Sequence, residues 1–382
     1  MQRVHEAGAP WTGALRLYPG LAAPGNLATS RPDLVAQLTQ GRLARELPEL
    51  LANVHNLCGS AHRLCAGLAV QAAHGAARAM DSDQAERLRS DTLREHLRRI
   101  GLEWPRHLAD TAEPSEAAGA LQALRSGPVS TAAPPASWAA QREGIAAWLA
   151  RDWLDMPAEA WLQAWELGPR DWLGLWAAHA RGWLPRLLHR ARATADQPIP
   201  WAPALRVHAH PGGLQELAGA LQHAAFARAP LWQGRCADTG PWTRLHQRDA
   251  ERFTTPWLRL GARLAEAVRL ALPDGPARSG ARWLQAGQLA LTGHTGLAWV
   301  ETARGLLVHC VTLNGAGPQA RVQRCSVVAP TDWNFHARGA LAQALAQLPR
   351  RTATADTRRI LALMAAYDPC VPFVIDAEPG HA

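Results

Sequence analysis

Between Trp283 and Pro330 the chain changes texture. Four runs, "WLQAGQLALTG", "TGLAWVETARG", "LLVHCVTLNG" and "ARVQRCSVVAP", are short, apolar and separated by glycines and the pair Asn314-Gly315. That pattern reads as neighbouring strands joined by turns. Before it, apolar residues recur at helical spacing. Leu43, Leu47, Leu50, Leu51 and Val54 mark a helix over 42–54, because residues three and four apart share one face. An alanine-rich helix is expected over 60–79. Asp83 stands where it can cap another over 84–100. A short helix fits within 111–127, a short strand within 11–18, and helical spacing returns at 337–348 and 355–366. The expected fold is α+β: a mostly helical body with a small β portion near the C-terminus. No internal repeat is present.

The stretch "GPVSTAAPPAS", 127–137, is the best linker candidate. A tryptophan-rich helical segment, 138–190, follows it. Trp161 with Trp165, and Trp172 with Trp176, share helix faces. They are expected to face the core or a partner. A base-stacking platform needs a basic groove beside it, and none is visible.

The formal charge is +8, and all forty basic residues are arginine. They are interleaved with acids along the chain, so no nucleic-acid partner is expected. No run of about 18 uncharged apolar residues occurs, so no membrane span is expected. The start, "MQRVHEAGAP", has no charged-then-apolar leader pattern, which points to the cytoplasm. Six cysteines, at 58, 65, 236, 310, 325 and 370, include no Cys-x-x-Cys pair. They read as free thiols, not as a disulfide framework.

Chemistry concentrates in four segments: "HNLCGSAHRLC" (55–65), "ADTGPWTRL" (237–245), "VETARGLLVHC" (300–310) running on to "VVAPTDWNF" (327–335), and "YDPC" (367–370). Their order and spacing resemble the large subunit of nickel–iron hydrogenases. That family carries an early Arg-x-Cys-x-x-Cys-x-x-x-His and a final Asp-Pro-Cys-x-x-Cys-x-x-His. Between them lie Gly-Pro-Leu-Ala-Arg, Glu-Ala-Pro-Arg-Gly and Val-Pro-Thr-Thr-Trp-Asn. Here Gly240-Pro241-Trp242-Thr243-Arg244, Glu301-Thr302-Ala303-Arg304-Gly305 and Pro330-Thr331-Asp332-Trp333-Asn334 stand in those places. The resemblance implies a degenerate large-subunit-like fold, with 1–382 as a single domain.

The departures matter as much. Cys58 and Cys370 are kept. The second cysteine positions are Ala61 and Phe373, and the histidine positions are Cys65 and Asp376. In the family those second cysteines bridge nickel and iron, so a working hydrogenase and a bound nickel are not expected. Phe373 is expected to fill part of the metal cavity. The pattern is similar to hydrogenase-maturation proteins of the HupK/HoxV type. The resemblance implies a non-catalytic scaffold for the iron precursor Fe(CN)2(CO), held transiently. Its partners would be the large-subunit precursor and other hydrogenase maturation chaperones. The alternatives are a divergent catalytic large subunit and a metal-free assembly chaperone.

On that resemblance the metal ligands are Cys58 and Cys370, with Cys65, His62 and Asp376 as further possibilities. In a continuous helix Cys65 would lie about 10 Å along the axis from Cys58, too far to share one iron with it. Arg304 and Thr331 would donate hydrogen bonds to cyanide, with Pro330 beside them and Glu301 orienting Arg304. His309 reads as structural or as support behind the ligands, Cys310 and Cys325 as core, and Cys236 is unassigned. With only "AEPGHA" after Asp376, Cys370 is expected on a segment that can loosen, and the tail is expected to stay unprocessed.

Overall fold

The computed structural model describes residues 13–30, 34–109, 115–128, 140–209, 211–247, 249–274, 283–350 and 353–376. Most of the expected linker, Trp138 and the tail 377–382 lie outside them. Helices dominate. The strands are β1 (Leu15–Leu17), β2 (Leu27–Thr29), β3 (Ala286–Leu291), β4 (Thr295–Thr302), β5 (Gly305–Leu313), β6 (Val322–Val328) and β7 (Phe373–Ile375).

Strands β3 to β6 form an antiparallel sheet in sequential order, one for each of the four expected runs, with β5 starting one residue early at Gly305. Side chains alternate between the two faces of a strand. On β5, Leu307, Val311 and Leu313 join the main helical core, while Leu306, Val308 and Cys310 join a second cluster built on Leu214, Leu217 and Trp333. Both faces are covered, which is why these runs are apolar throughout. β4 and β5 meet in a two-residue turn, Ala303-Arg304, with Thr302 paired to Gly305. The Asn314-Gly315 pair sits in a longer loop, closed where the Asn314 amide donates to the Arg321 carbonyl at 3.0 Å.

A second sheet has the order β2-β1-β7. β7 runs parallel to β1, with Leu15 opposite Phe373 and Leu17 opposite Ile375. The Asp376 amide donates to the Leu17 carbonyl at 2.9 Å, and Arg16 pairs with Asp376 at 3.1 Å. The segment after Cys370 is therefore held in a sheet, with Val371 and Phe373 buried. The expected loose segment is not observed.

Helix Ser82–Arg98 is capped by Asp81, not Asp83: the Gln84 amide donates to Asp81 Oδ1 at 2.8 Å and the Gln84 side chain answers to the Asp81 amide. The tryptophans face inward. Trp148, Trp153, Trp161, Trp165, Trp176 and Trp183 are buried, and Trp161 stacks on Trp165 while meeting Trp176 edge-on. Helix Pro256–Ala271 runs through the middle with Thr255 as its N-cap. It carries no sequence expectation, because Arg259, Arg263 and Glu266 interrupt its apolar stripe, yet all three are buried.

Helix Gly59–Ala73 crosses the β3–β5 face against Gly296. A Cβ added at Gly296 would sit 2.1 Å from the Ala69 carbonyl oxygen and 2.4 Å from the Ala73 nitrogen. Gly296→Val should therefore cost about 3 kcal/mol of stability, the upper end of core overpacking. A urea midpoint equal to wild type would show that the helix can move off the sheet freely.

Candidate functional site

The four segments singled out in the sequence meet around the β4–β5 turn. Asn334 ties two of them together: its Oδ1 accepts from the Thr239 amide and its Nδ2 donates to the Thr239 carbonyl, both at 2.8 Å. The Thr239 hydroxyl accepts from the Leu306 amide at 2.9 Å. Two buried arginines clamp the turn itself. Arg244 donates to the Thr302 carbonyl at 2.6 Å and forks onto Glu266 with two bonds of 2.7 Å. Arg263 donates to the Ala303 carbonyl at 2.7 Å. His96 and Trp283 complete the shell of Glu266, each at 2.8 Å.

Arg304, at the tip of the turn, points inward and is buried. Its guanidinium pairs with Glu95, and its Nε lies 3.6 Å from Asp368 Oδ2. Asp368 also lies 3.2 Å from Arg99 and 3.1 Å from Arg263. Three guanidinium groups thus converge on one buried carboxylate. Burial alone would raise the Asp368 pKa, but Arg304, Arg99 and Arg263 reverse this and hold it well below the usual carboxylate range. Asp368 ends helix Thr354–Tyr367 in the left-handed conformation, φ 53°. The chain leaves the helix sharply there and turns through Pro369 into Cys370.

Cys370 is half-buried. The Thr331 hydroxyl donates to its sulfur at 3.1 Å, and the Cys370 amide lies 3.3 Å from the same oxygen. Thr331 is held at the start of helix Pro330–Asn334, where Pro330 takes the first position. Cys58 is also half-buried and sits at the N-cap of helix Gly59–Ala73. Gly59 lets that helix start against its neighbour: a Cβ there would lie 2.5 Å from the Ala52 carbonyl oxygen. Burial opposes the charge on Arg304, but Asp368, Glu95, Cys58 and Cys370 together raise its pKa well above the ordinary value. One guanidinium therefore lies within electrostatic reach of both thiols.

Other expected residues lie elsewhere. Glu301 does not orient Arg304: its carboxylate accepts from His208 at 3.1 Å and from the Gln285 amide at 2.9 Å. Cys65 is a core thiol that donates to the Ala298 carbonyl at 3.4 Å, and burial pushes its pKa well up, away from the thiolate a metal needs. His62 is buried, stacked on His55 at 3.8 Å, with Nδ1 at 3.0 Å from His309 Nε2. Asp376 belongs to the β1–β7 sheet. Phe373 packs with Leu15, Ile360 and Tyr367 in the core beneath that sheet. The sequence analysis missed Glu95, Arg99 and Arg263, and gave Asp368 no role of its own. The one available signal was a charged trio, Arg259, Arg263 and Glu266, at helical spacing inside an apolar stretch. No group of three or more His, Cys, Asp or Glu side chains placed for a metal occurs among the described residues. No described helix is long and apolar enough to cross a membrane.

No protein-family model matches the chain. Among curated proteins it is 40% identical over 376 residues to the hydrogenase expression/formation protein HoxV of Cupriavidus necator, covering 96% of this chain and 95% of that one. The chain belongs to the HupK/HoxV family of hydrogenase expression/formation proteins. The family's HupK of Rhizobium leguminosarum bv. viciae is 29% identical over 94% of both chains. HupK of Bradyrhizobium diazoefficiens is 38% identical over 167 residues, 42% of this chain and 44% of its own. The HupK/HoxV fold seen here is that of the nickel–iron hydrogenase large subunit. The nickel–iron–selenium hydrogenase of D. vulgaris Hildenborough in its reduced state superposes with a TM-score of 0.51 at 15% identity, covering 90% of this chain and 92% of that one.

Two outcomes follow from this geometry. Asp368→Asn removes the charge that three buried guanidinium groups share, and should cost about 3–5 kcal/mol. A urea midpoint within error of wild type at pH 7 would contradict it. The Asp368 contribution is complete above the unfolded carboxylate pKa, about 3.9, and is lost as pH falls below it. His309 behaves differently. Burial, with His55 adding to it, pushes its pKa down to about 3, against about 6.5 in the unfolded chain. Below about pH 6.5 the unfolded state takes up more protons, so stability falls as pH drops from 6.5 toward 3. His309→Gln should flatten the pH 6.5–4.5 slope of unfolding free energy. An unchanged slope would assign that dependence to other histidines.

Proposed function

We propose that this maturation protein is a non-catalytic scaffold that holds iron with its cyanide and carbonyl ligands, Fe(CN)2(CO), as cargo. The large-subunit precursor of a hydrogenase would receive it, with other maturation chaperones as partners, in the cytoplasm. The observation that supports this best is the buried Arg304, whose charge is favoured by two half-buried thiols, Cys58 and Cys370, with the Thr331 hydroxyl on the second.

The donor set suits that cargo. Thiolates are soft ligands and match an iron already softened by carbonyl and cyanide. Bound cyanide carries negative charge and accepts hydrogen bonds. A charge-assisted bond from Arg304 would contribute about 1.5–3 kcal/mol, and Thr331 can turn its hydroxyl from the sulfur to a second cyanide. Pro330 fixes the helix start that presents Thr331. Nickel has no place in this arrangement: Phe373 and Asp376 stand where a bridging cysteine and a histidine would be needed, and two terminal thiolates cannot bridge two metals. A two-thiolate hold is also weaker than a four-thiolate one, which suits a carrier that must let its cargo go.

Infrared spectra of anaerobically purified protein test the reading. Wild type should show CO and CN bands. Cys58→Ala and Cys370→Ala should lose them, and Thr331→Val should shift or weaken the CN bands, while Cys236→Ala and Cys325→Ala keep them. Bands undiminished in either of the first two variants would overturn the ligand assignment. No bands in wild type, with assembly activity intact, would make the protein a metal-free assembly chaperone.

A further inference from the structure

Just ahead of the second motif stands a thiol that the proposed iron site does not use. Cys236 is half-buried, and its Sγ lies 3.1 Å from His336 Nδ1. The pair continues the stitch between two of the four segments. Asn334, two residues before His336, binds both backbone groups of Thr239, three residues after Cys236. That buried clamp holds the thiol and the imidazole in register.

The neighbours settle the tautomer. The Arg338 amide donates to His336 Nδ1 at 3.1 Å, so that nitrogen carries the lone pair and the ring proton sits on Nε2. The thiol is therefore the donor in its contact with Nδ1. A backbone hydrogen bond to Ala229 raises the His336 pKa, as a carbonyl accepting from a ring N–H does. His336 is buried, and Cys236 is the more accessible member of the pair. These are the parts of an assisted nucleophile: a thiol, a base within hydrogen-bond reach, and a third group that orients the base.

We infer that Cys236 and His336 form a thiol–disulfide exchange site, which takes a small disulfide bearing carboxylates. Burial raises the Cys236 pKa and lowers that of His336, so both are uncharged at rest near neutral pH. The thiolate develops only as the sulfur attacks. Cys236 Sγ bonds to one sulfur of the incoming disulfide, and the old S–S bond breaks. The thiol proton moves to His336 Nδ1 and from there to the departing sulfur, which leaves as a free thiol. Cys236 ends oxidised in a mixed disulfide and the departing sulfur ends reduced, with no further oxidant.

Charge selects the reagent. Of the charged groups acting on Cys236, Arg338 is exposed and favours the thiolate, while Asp238 opposes it but is buried and paired with Arg259 at 2.8 Å. Arg235, the preceding residue, is exposed as well. Guanidinium groups beside the sulfur suit a reagent with carboxylates. Cys65, Cys310 and Cys325 are buried in the core, and Cys58 and Cys370 belong to the proposed iron site. The inference does not depend on iron being the cargo.

Oxidised glutathione is the probe, with cystamine as a cationic disulfide beside it. Mixed disulfides formed anaerobically on the full-length chain are located by peptide mass spectrometry. Oxidised glutathione should modify Cys236 at a rate that changes less than threefold between pH 7 and pH 8, because the base is neutral across that range. An unassisted thiol of raised pKa would gain about tenfold over the same interval. His336→Asn keeps an acceptor near the Nδ1 position but no base, and should slow modification at least tenfold at pH 7. Arg338→Gln should slow oxidised glutathione at least threefold and leave cystamine unslowed. No modification of Cys236 in wild type, or a tenfold rise in its rate from pH 7 to pH 8, would overturn the site, and neither result needs a variant to fold. Wild-type rates in His336→Asn would overturn the role of the imidazole. Equal slowing of both disulfides in Arg338→Gln would overturn the preference for carboxylates.

Discussion

One buried carboxylate organises the site. Asp368 sits among Arg99, Arg263 and Arg304, which come from three distant parts of the chain. Bringing so many charges out of water is expensive, and such a cluster is tolerable only when every charge has a partner. Here Glu95 answers Arg304, Glu103 answers Arg99, and Glu266 answers Arg244. The network is thus close to neutral. Its value lies less in net stability than in geometry: it fixes the end of helix Thr354–Tyr367, the β4–β5 turn and helix Pro256–Ala271 in one arrangement. Cys370 is two residues from that fixed point, and Arg304 is part of it.

The same network explains why the turn at Ala303-Arg304 is rigid enough to present a buried arginine. Both of its inner carbonyls, those of Thr302 and Ala303, accept from buried guanidinium groups. A tight hairpin turn is ordinarily solvated and mobile. Here its polar groups are satisfied from inside, so the Arg304 side chain is aimed by the backbone as well as by Glu95 and Asp368.

What was legible in the sequence divides along physical lines. Strands β3 to β6 were legible because continuous apolar runs broken by turn residues have few other readings. Cys58, Cys370, Arg304 and Thr331 stood out through their motifs, and of these the structure brings Thr331 and Cys370 into direct contact. The cap of helix Ser82–Arg98 was misplaced by two residues, because Asp81 and Asp83 are equally good on composition and only the reciprocal bond to Gln84 decides between them. Helix Pro256–Ala271 was hidden by its own function: its buried Arg259, Arg263 and Glu266 look like surface charges in any pattern based on burial of apolar residues. Glu301 was misassigned because closeness in sequence to Arg304 suggested contact. Three residues along a strand and around a turn are enough to send the two side chains to different partners, His208 and Glu95.

The departures from the large-subunit pattern have a common physical character. Three of those positions carry a packing or pairing task here. Cys65 bonds to the Ala298 carbonyl in the core, Phe373 fills the space under the β1–β7 sheet, and Asp376 pairs with Arg16 at its edge. The C-terminal segment is therefore stitched into the body by apolar burial and strand pairing. Cys370 is held from two sides, by Asp368 before it and β7 after it. Its mobility cannot come from the segment as a whole. What touches its sulfur is the Thr331 hydroxyl, at 3.1 Å.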